Sequence, residues 1–170
     1  MSLEATPASI DQRALRDAFG RFATGVTVVT TVDGAGAPVG LTVNSFSSLS
    51  LTPPLVLWSL DKASSCCPAF EACDGFVVHV LADDQEPLSR LFASAVKDRF
   101  AGLDYQRNDR GFPLLPGTCA RFQCRTAAVH EGGDHLILVG EVEAFDHTDR
   151  PPLLFWGGRY RHVAPATEII

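Results

Sequence analysis

Between Thr24 and Gly34 the chain reads TGVTVVTTVDG, a run of β-branched residues that suits a pleated, half-buried surface and ends in turn residues. Residues 38–46 (PVGLTVNSF) resume the extended pattern, so 24–46 is expected to form a hairpin about the turn Asp33-Gly34-Ala35-Gly36. Period-two alternation over 40–46 sets Leu41 and Val43 on one face and Thr42, Asn44 and Phe46 on the other. Beyond Phe46 a serine-rich loop is expected, and residues 54–60 (PLVLWSL) form a third strand after Pro53-Pro54. Residues 76–82 (FVVHVLA) read as a strand, as do residues 118–130 and 134–145, joined by a hairpin turn at Glu131-Gly132-Gly133-Asp134. A last short strand covers 153–162.

Helical spacing occurs in three places. Ile10, Ala14, Leu15 and Ala18 line one face of 10–20, with Gly20 as its stop. Ser64-Ser65 followed by Cys66-Cys67-Pro68 is a helix start, with a serine N-cap, proline in the first turn and Gly75 as the end. Residues 84–95 align Leu88, Leu91, Phe92 and Ala95. Residues 104–117 form a long loop punctuated by proline and glycine. Strands joined by short turns are antiparallel. The expected fold is therefore mainly β: a six- to seven-stranded antiparallel split β-barrel with two to three flanking helices, because closure removes exposed edges. No βαβ alternation and no GxGxxG after a strand occurs, which excludes a Rossmann sheet.

Length and charge narrow the function classes. One domain is expected over residues 1–170, with its core at about 12–162. The net charge is −6 and the basic residues are scattered, which argues against nucleic acid as a partner. No apolar run reaches the roughly 18–20 residues of a membrane span. Met1 to Pro7 lacks a basic start followed by an apolar stretch, so no secretory leader is expected and the cytoplasm is the default location. The cysteines are odd in number (Cys66, Cys67, Cys73, Cys119 and Cys124) and make neither a disulfide framework nor a zinc pattern; no metal site is expected.

Candidate chemistry falls in five segments. Asn44-Ser45-Phe46-Ser47-Ser48 offers a carboxamide, hydroxyls and backbone N–H groups that can match the alternating donors and acceptors of a heterocycle edge; read blandly, it is turn chemistry. Ser59 to Cys67 (SLDKASSCC) gathers hydroxyls, Lys62 and a helix start suited to a phosphate, or Ser65 only caps its helix. Lys97-Asp98-Arg99-Phe100 sets cations beside an aromatic, for phosphate and ring contact or as a solvated helix end. His135, after Gly132-Gly133-Asp134, stands where backbone can approach a ligand closely, or it is structural. Leu154 to Tyr160 alternates aromatics and glycines that cover a flat ring or close the barrel. The remaining histidines, His79, His130, His147 and His162, show no partner pattern. No hydrolase triad, zincin or Walker pattern occurs.

Taken together, FxTGVTVVTT at 22–31, PVGLTVNSFSSLSLTPPLV at 38–56, RFAG at 99–102, HEGGDH at 130–135, GEV at 140–142 and PLLFWGGRY at 152–160 resemble the flavin reductase-like, FMN-binding split-barrel family. The likeness is greatest to NAD(P)H:flavin oxidoreductase components of two-component flavin monooxygenases. The resemblance implies hydride transfer from NADH or NADPH to FMN or FAD, and reduced flavin passed by diffusion to a separate monooxygenase. It implies a homodimer with flavin near the subunit interface. Thr42, Asn44, Ser45 and Ser48 would hold the ring region. Ser59, Leu60, Asp61, Lys62, Ser65 and Cys66 would line the ribityl-phosphate side, with Arg99 and Phe100 closing it. Trp156 and Tyr160 would complete the cofactor site, and His135 would stand near the nicotinamide as the catalytic candidate. Gly157 stands where the family commonly carries arginine, and a replacement by Arg159 is left open. Two other readings also stay open: an oxidase of the pyridoxamine-phosphate type that keeps FMN tightly, and a non-catalytic flavin- or haem-binding protein.

Overall fold

The computed structural model describes residues 10–164; the Met1–Pro7 stretch lies outside them. In chain order the elements are α1 (Gln12–Phe19), β1 (Thr24–Gly25), β2 (Thr27–Val32), β3 (Pro38–Val43), β4 (Ser47–Leu51), β5 (Pro54–Asp61), α2 (Cys67–Ala72), β6 (Gly75–Val80) and α3 (Glu86–Ala93). There follow β7 (Gln106–Arg107), β8 (Pro113–Leu114), β9 (Ala120–Gly132), β10 (His135–His147), β11 (Leu153–Trp156) and β12 (Arg159–His162). Seven strands form one sheet in the order β3-β2-β6-β9-β10-β5-β4, and every pairing in it is antiparallel. This is the mainly β architecture that the strand pattern predicts.

The sheet curls until the end of its edge strand β3 reaches β5, one strand in from the opposite edge. The Ser45 hydroxyl accepts from Ser59 N–H at 2.9 Å and donates to Ser59 C=O at 3.2 Å, tying the end of β3 to β5. Inside the curl, Val29, Trp58, Phe70, Phe76 and Leu138 make the larger core, with Trp58 edge-on to both Phe70 and Phe76. Gly140 is a point of close approach. A Cβ there would lie 2.5 Å from the Phe76 ring and 2.8 Å from Cys124 Cβ, so only glycine lets β10 pass, and the β9–β10 register shifts beside it. A second core, Val28, Leu81, Phe92, Phe100, Leu115 and Leu153, lies on the other face of β2, beneath α3 and the C-terminal hairpin. Strand β2 is thus covered on both faces, and its threonines bond outward: Thr30 to Pro113 C=O and Thr31 to Gly75 C=O, each at 2.8 Å.

Several sequence expectations change. The Ser47–Leu51 stretch is an edge strand on β5, not a loop. Phe46 joins Leu41 and Val43 in the larger core and stacks on Phe122 at 5.6 Å, because β3 ends at Val43 and the turn resets the alternation. The last strand is a hairpin, β11 and β12, turning at Gly157 (φ 60°) and Gly158 (φ 75°), which an L side chain rarely tolerates. Cys66, not a serine, occupies the cap position of α2; Ser64 Oγ accepts from Cys66 N–H at 3.2 Å.

Candidate functional site

Strand β3 lies along two cavities. The first, about 480 Å³, is lined by Pro38, Val39 and Gly40 of β3, by Ser65 and Cys66 before α2, and by Ala95, Val96, Lys97, Arg99 and Phe100 after α3. Arg99 forms its wall. Its Nε and Nη2 donate to Ser94 C=O at 3.1 and 2.6 Å, and its Nη1 donates to Gly40 C=O at 2.8 Å and to Cys66 Sγ at 3.2 Å. Carbonyls orient this guanidinium without neutralising it. Asp98, the nearest acid in sequence, accepts from the Phe100 and Ala101 N–H groups at its Oδ1 and makes no ion pair with either cation. Among the described residues neither Lys97 nor Arg99 has an ion-pair partner. The cavity thus carries two uncompensated cations, the electrostatics of an anion site. Phe100 is 6% exposed and packs edge-on to Phe92 and Tyr105, so it stiffens this wall from behind.

The second cavity, about 220 Å³, is lined by Val26, Thr42, Val43, Asn44, Ser89, Ala93, Phe155 and Tyr160. Thr42 Oγ1 donates to Ser89 C=O at 2.7 Å, which leaves its lone pairs free to accept. Asn44 is exposed just past the end of β3. The Tyr160 ring meets Phe155 edge-on, and Arg90 lies 5.0 Å from its centroid on the other side. An apolar wall with an acceptor, a carboxamide and a phenol at its rim suits a flat heterocycle whose edge carries N–H and C=O groups.

The fifteen residues singled out from the sequence divide between these cavities and other places. Thr42, Asn44 and Tyr160 share the smaller cavity; Ser65, Cys66, Arg99 and Phe100 share the larger. The Ser45 hydroxyl and the Ser59 backbone are used in closing the barrel. Leu60 is wholly buried in the core, so its side chain lines neither cavity. Asp61 accepts from Ala63 N–H at 2.8 Å and shapes the turn leading to Ser65. Lys62 pairs with Glu131 and donates to Gly133 C=O at 2.7 Å, joining that turn to the β9–β10 hairpin. Ser48 is exposed on edge strand β4. Trp156 Nε1 donates to Arg21 C=O at 3.0 Å and anchors the C-terminal hairpin to the chain after α1. His135 opens β10 opposite Asp61, and its Nδ1 lies 2.7 Å from Asp134 Oδ1. That hydrogen bond holds the Asp134 carboxyl below its usual range, so the acceptor is a carboxylate and Nδ1 carries the proton.

The Flavin reductase like domain, as a family model, matches residues 19–164. The chain belongs to the flavin reductase-like family. It is 51% identical over 154 residues to FMN reductase (NADH) SmoA of Agrobacterium fabrum, spanning 91% of this chain and 87% of that one. It is 42% identical over 161 residues to the reductase subunit HsaB of a flavin-dependent monooxygenase from Mycobacterium tuberculosis, spanning 93% of this chain and 86% of that one. The solved structure of the Streptomyces globisporus NADH:FAD oxidoreductase SgcE6, in complex with NAD and FAD fragments, superposes with a TM-score of 0.88 at 42% identity, covering 93% of this chain and 96% of that one. For this flavin reductase-like chain, sequence reasoning missed Gly40 and Ser89, and it gave Lys97 and Phe155 no individual role within their candidate segments, although all four line the cavities. Lys97 was legible as the start of its basic-aromatic run. Ser89 was not, because a serine inside an amphipathic helix carries no signal until its neighbours are known.

Proposed function

We propose that this protein is an NAD(P)H-dependent flavin reductase that supplies reduced FMN or FAD to a separate flavin-dependent monooxygenase. One observation carries the reading: along β3 lie, at one end, a cavity with two cations that have no ion-pair partner among the described residues and, at the other, a polar-rimmed apolar cavity. A flavin nucleotide has the matching polarity, an anionic phosphate on a flexible chain and a flat ring with a hydrogen-bonding edge. Lys97, Arg99 and Ser65 would hold the phosphate, and Thr42, Asn44 and Tyr160 the ring. When bound, the flavin supplies a two-electron acceptor for hydride from reduced nicotinamide. The chain's part is to bind and orient both rings and to keep water from the face they share. His135, half-exposed with Nδ1–H fixed on Asp134, offers Nε2 to the nicotinamide side. No nucleophile is required, which agrees with the absence of a triad from the sequence.

The partner reading draws on the HsaB relative, whose name makes it a monooxygenase reductase subunit. The purified protein is expected to oxidise NADH or NADPH rapidly only when free FMN or FAD is added, followed as loss of reduced-nicotinamide absorbance. A yellow protein inert to both nucleotides would sink this reading in favour of a tight-flavin oxidase.

We also propose a homodimer. Phe19 and Phe22 are 69% and 78% exposed around α1, a helix that buries none of its side chains in the single chain, and Leu51 on β4 is 94% exposed. Large apolar side chains left exposed in this way are candidates for a contact surface. Sedimentation equilibrium should return twice the chain mass, and Phe19→Asp with Phe22→Asp should return one. The location expected is the cytoplasm; among the described residues no helix is long and apolar enough to cross a membrane.

A further inference from the structure

Ser89 sits in the middle of α3 and is wholly buried. Serine is an indifferent residue in a helix interior, and a buried hydroxyl left alone is costly. Among the described residues its hydroxyl has one partner, the Tyr160 OH, at 2.8 Å. Its backbone carbonyl accepts from Thr42 Oγ1 at 2.7 Å. One residue of α3 therefore grips two side chains from different sheets, Thr42 on β3 and Tyr160 on β12, and both of these line the same cavity. The backbone arm turns the Thr42 proton away, so Thr42 faces the cavity as an acceptor. The side-chain arm pins the phenol end of Tyr160, while Phe155 and Arg90 fix its ring. Alanine would suit the helix better and fill nearly the same space, so packing does not account for the hydroxyl.

We infer that Ser89 is a positioning residue: it holds the Tyr160 hydroxyl at the rim of the Thr42–Asn44 cavity, in the orientation that meets the edge of the bound ring. This inference rests on the flavin reading above. Without the Ser89 hydroxyl, Tyr160 keeps its ring contacts but its OH loses its anchor, and the ordering cost falls on ligand binding.

The test is a double-mutant cycle on FMN affinity, measured by quenching of FMN fluorescence rather than by turnover, with urea unfolding as the control for folding. Ser89→Ala is expected to weaken FMN binding roughly tenfold, the worth of one hydrogen bond. Tyr160→Phe, which keeps the ring, is expected to do the same. The two variants combined should lose about tenfold in total, not a hundredfold, because both remove the same contact. Losses that multiply, or an unchanged affinity in Ser89→Ala, would overturn the positioning role and leave the flavin reading standing. Wild-type protein that binds neither FMN nor FAD would remove that reading, and this inference with it.

Discussion

Taking the protein from about pH 7 to about pH 4 is expected to cost it about 3 kcal/mol of folding stability through a single side chain, His79. This histidine of β6 is fully buried, between Val28 of β2 and Arg121 of β9 in register. A carbonyl only accepts, so His79 Nδ1–H donates to Val28 C=O at 3.0 Å; Nε2 then accepts from Leu115 N–H at 3.1 Å. The ring is neutral and both nitrogens are used. Desolvation is the main force pulling its pKa from 6.5 down to about 4; the Arg121 charge adds to it, and the Val28 bond and Asp146 oppose it. Between those two values the unfolded chain binds a proton that the folded chain refuses. The contribution is therefore complete above pH 6.5 and is lost as the pH falls towards 4. Protonation would also set an Nε2–H against the Leu115 N–H and release the loop before β9. Urea midpoints across this range test it. His79→Phe is expected to be less stable at neutral pH, since it strands a buried carbonyl and a buried N–H, yet to lose the steep acid dependence. A wild-type profile as flat as that variant's would refute the assignment.

The sequence hid His79 for a physical reason. FVVHV reads as a strand with one polar interruption, and what satisfies the imidazole comes from β2 and from residue 115, both remote in the chain. The same holds for Ser89, whose partners are Thr42 and Tyr160. Edge strand β4 was hidden differently: SSLSL has turn composition, and only the neighbouring β5 makes it a strand. What could be read locally was right. The β2–β3 hairpin, the glycine turn between β9 and β10, and the Leu88 and Phe92 face of α3 are each set by residues within a few positions. The candidate site was half legible on the same grounds. Thr42, Asn44 and Arg99 stand out as residue types in motifs, whereas the employment of the Ser45 hydroxyl in barrel closure depends on where Ser59 lies.

Arg99→Ala is expected to weaken FMN binding about a hundredfold while leaving riboflavin binding within about threefold of wild type. The first figure is the worth of a charged hydrogen bond to a phosphate, about 1.5–3 kcal/mol, at its upper end. The second follows from the division of labour proposed along β3: a ligand without phosphate makes no demand on the cation cavity. Arg99 also braces Gly40 and Ser94 by their carbonyls, so a general loosening of the wall is the competing explanation. Riboflavin separates the two, because a collapsed wall would harm both ligands alike. Arg99→Lys sharpens the contrast. It keeps the charge but cannot bridge two carbonyls with one planar fork, so it should recover part of the FMN affinity, and that part should fall as salt is raised. Calorimetric titration of wild type and both variants with each ligand reads all of this. Equal losses for FMN and riboflavin in Arg99→Ala would mean that the guanidinium serves the fold alone, and the phosphate would then have to be held by some other group.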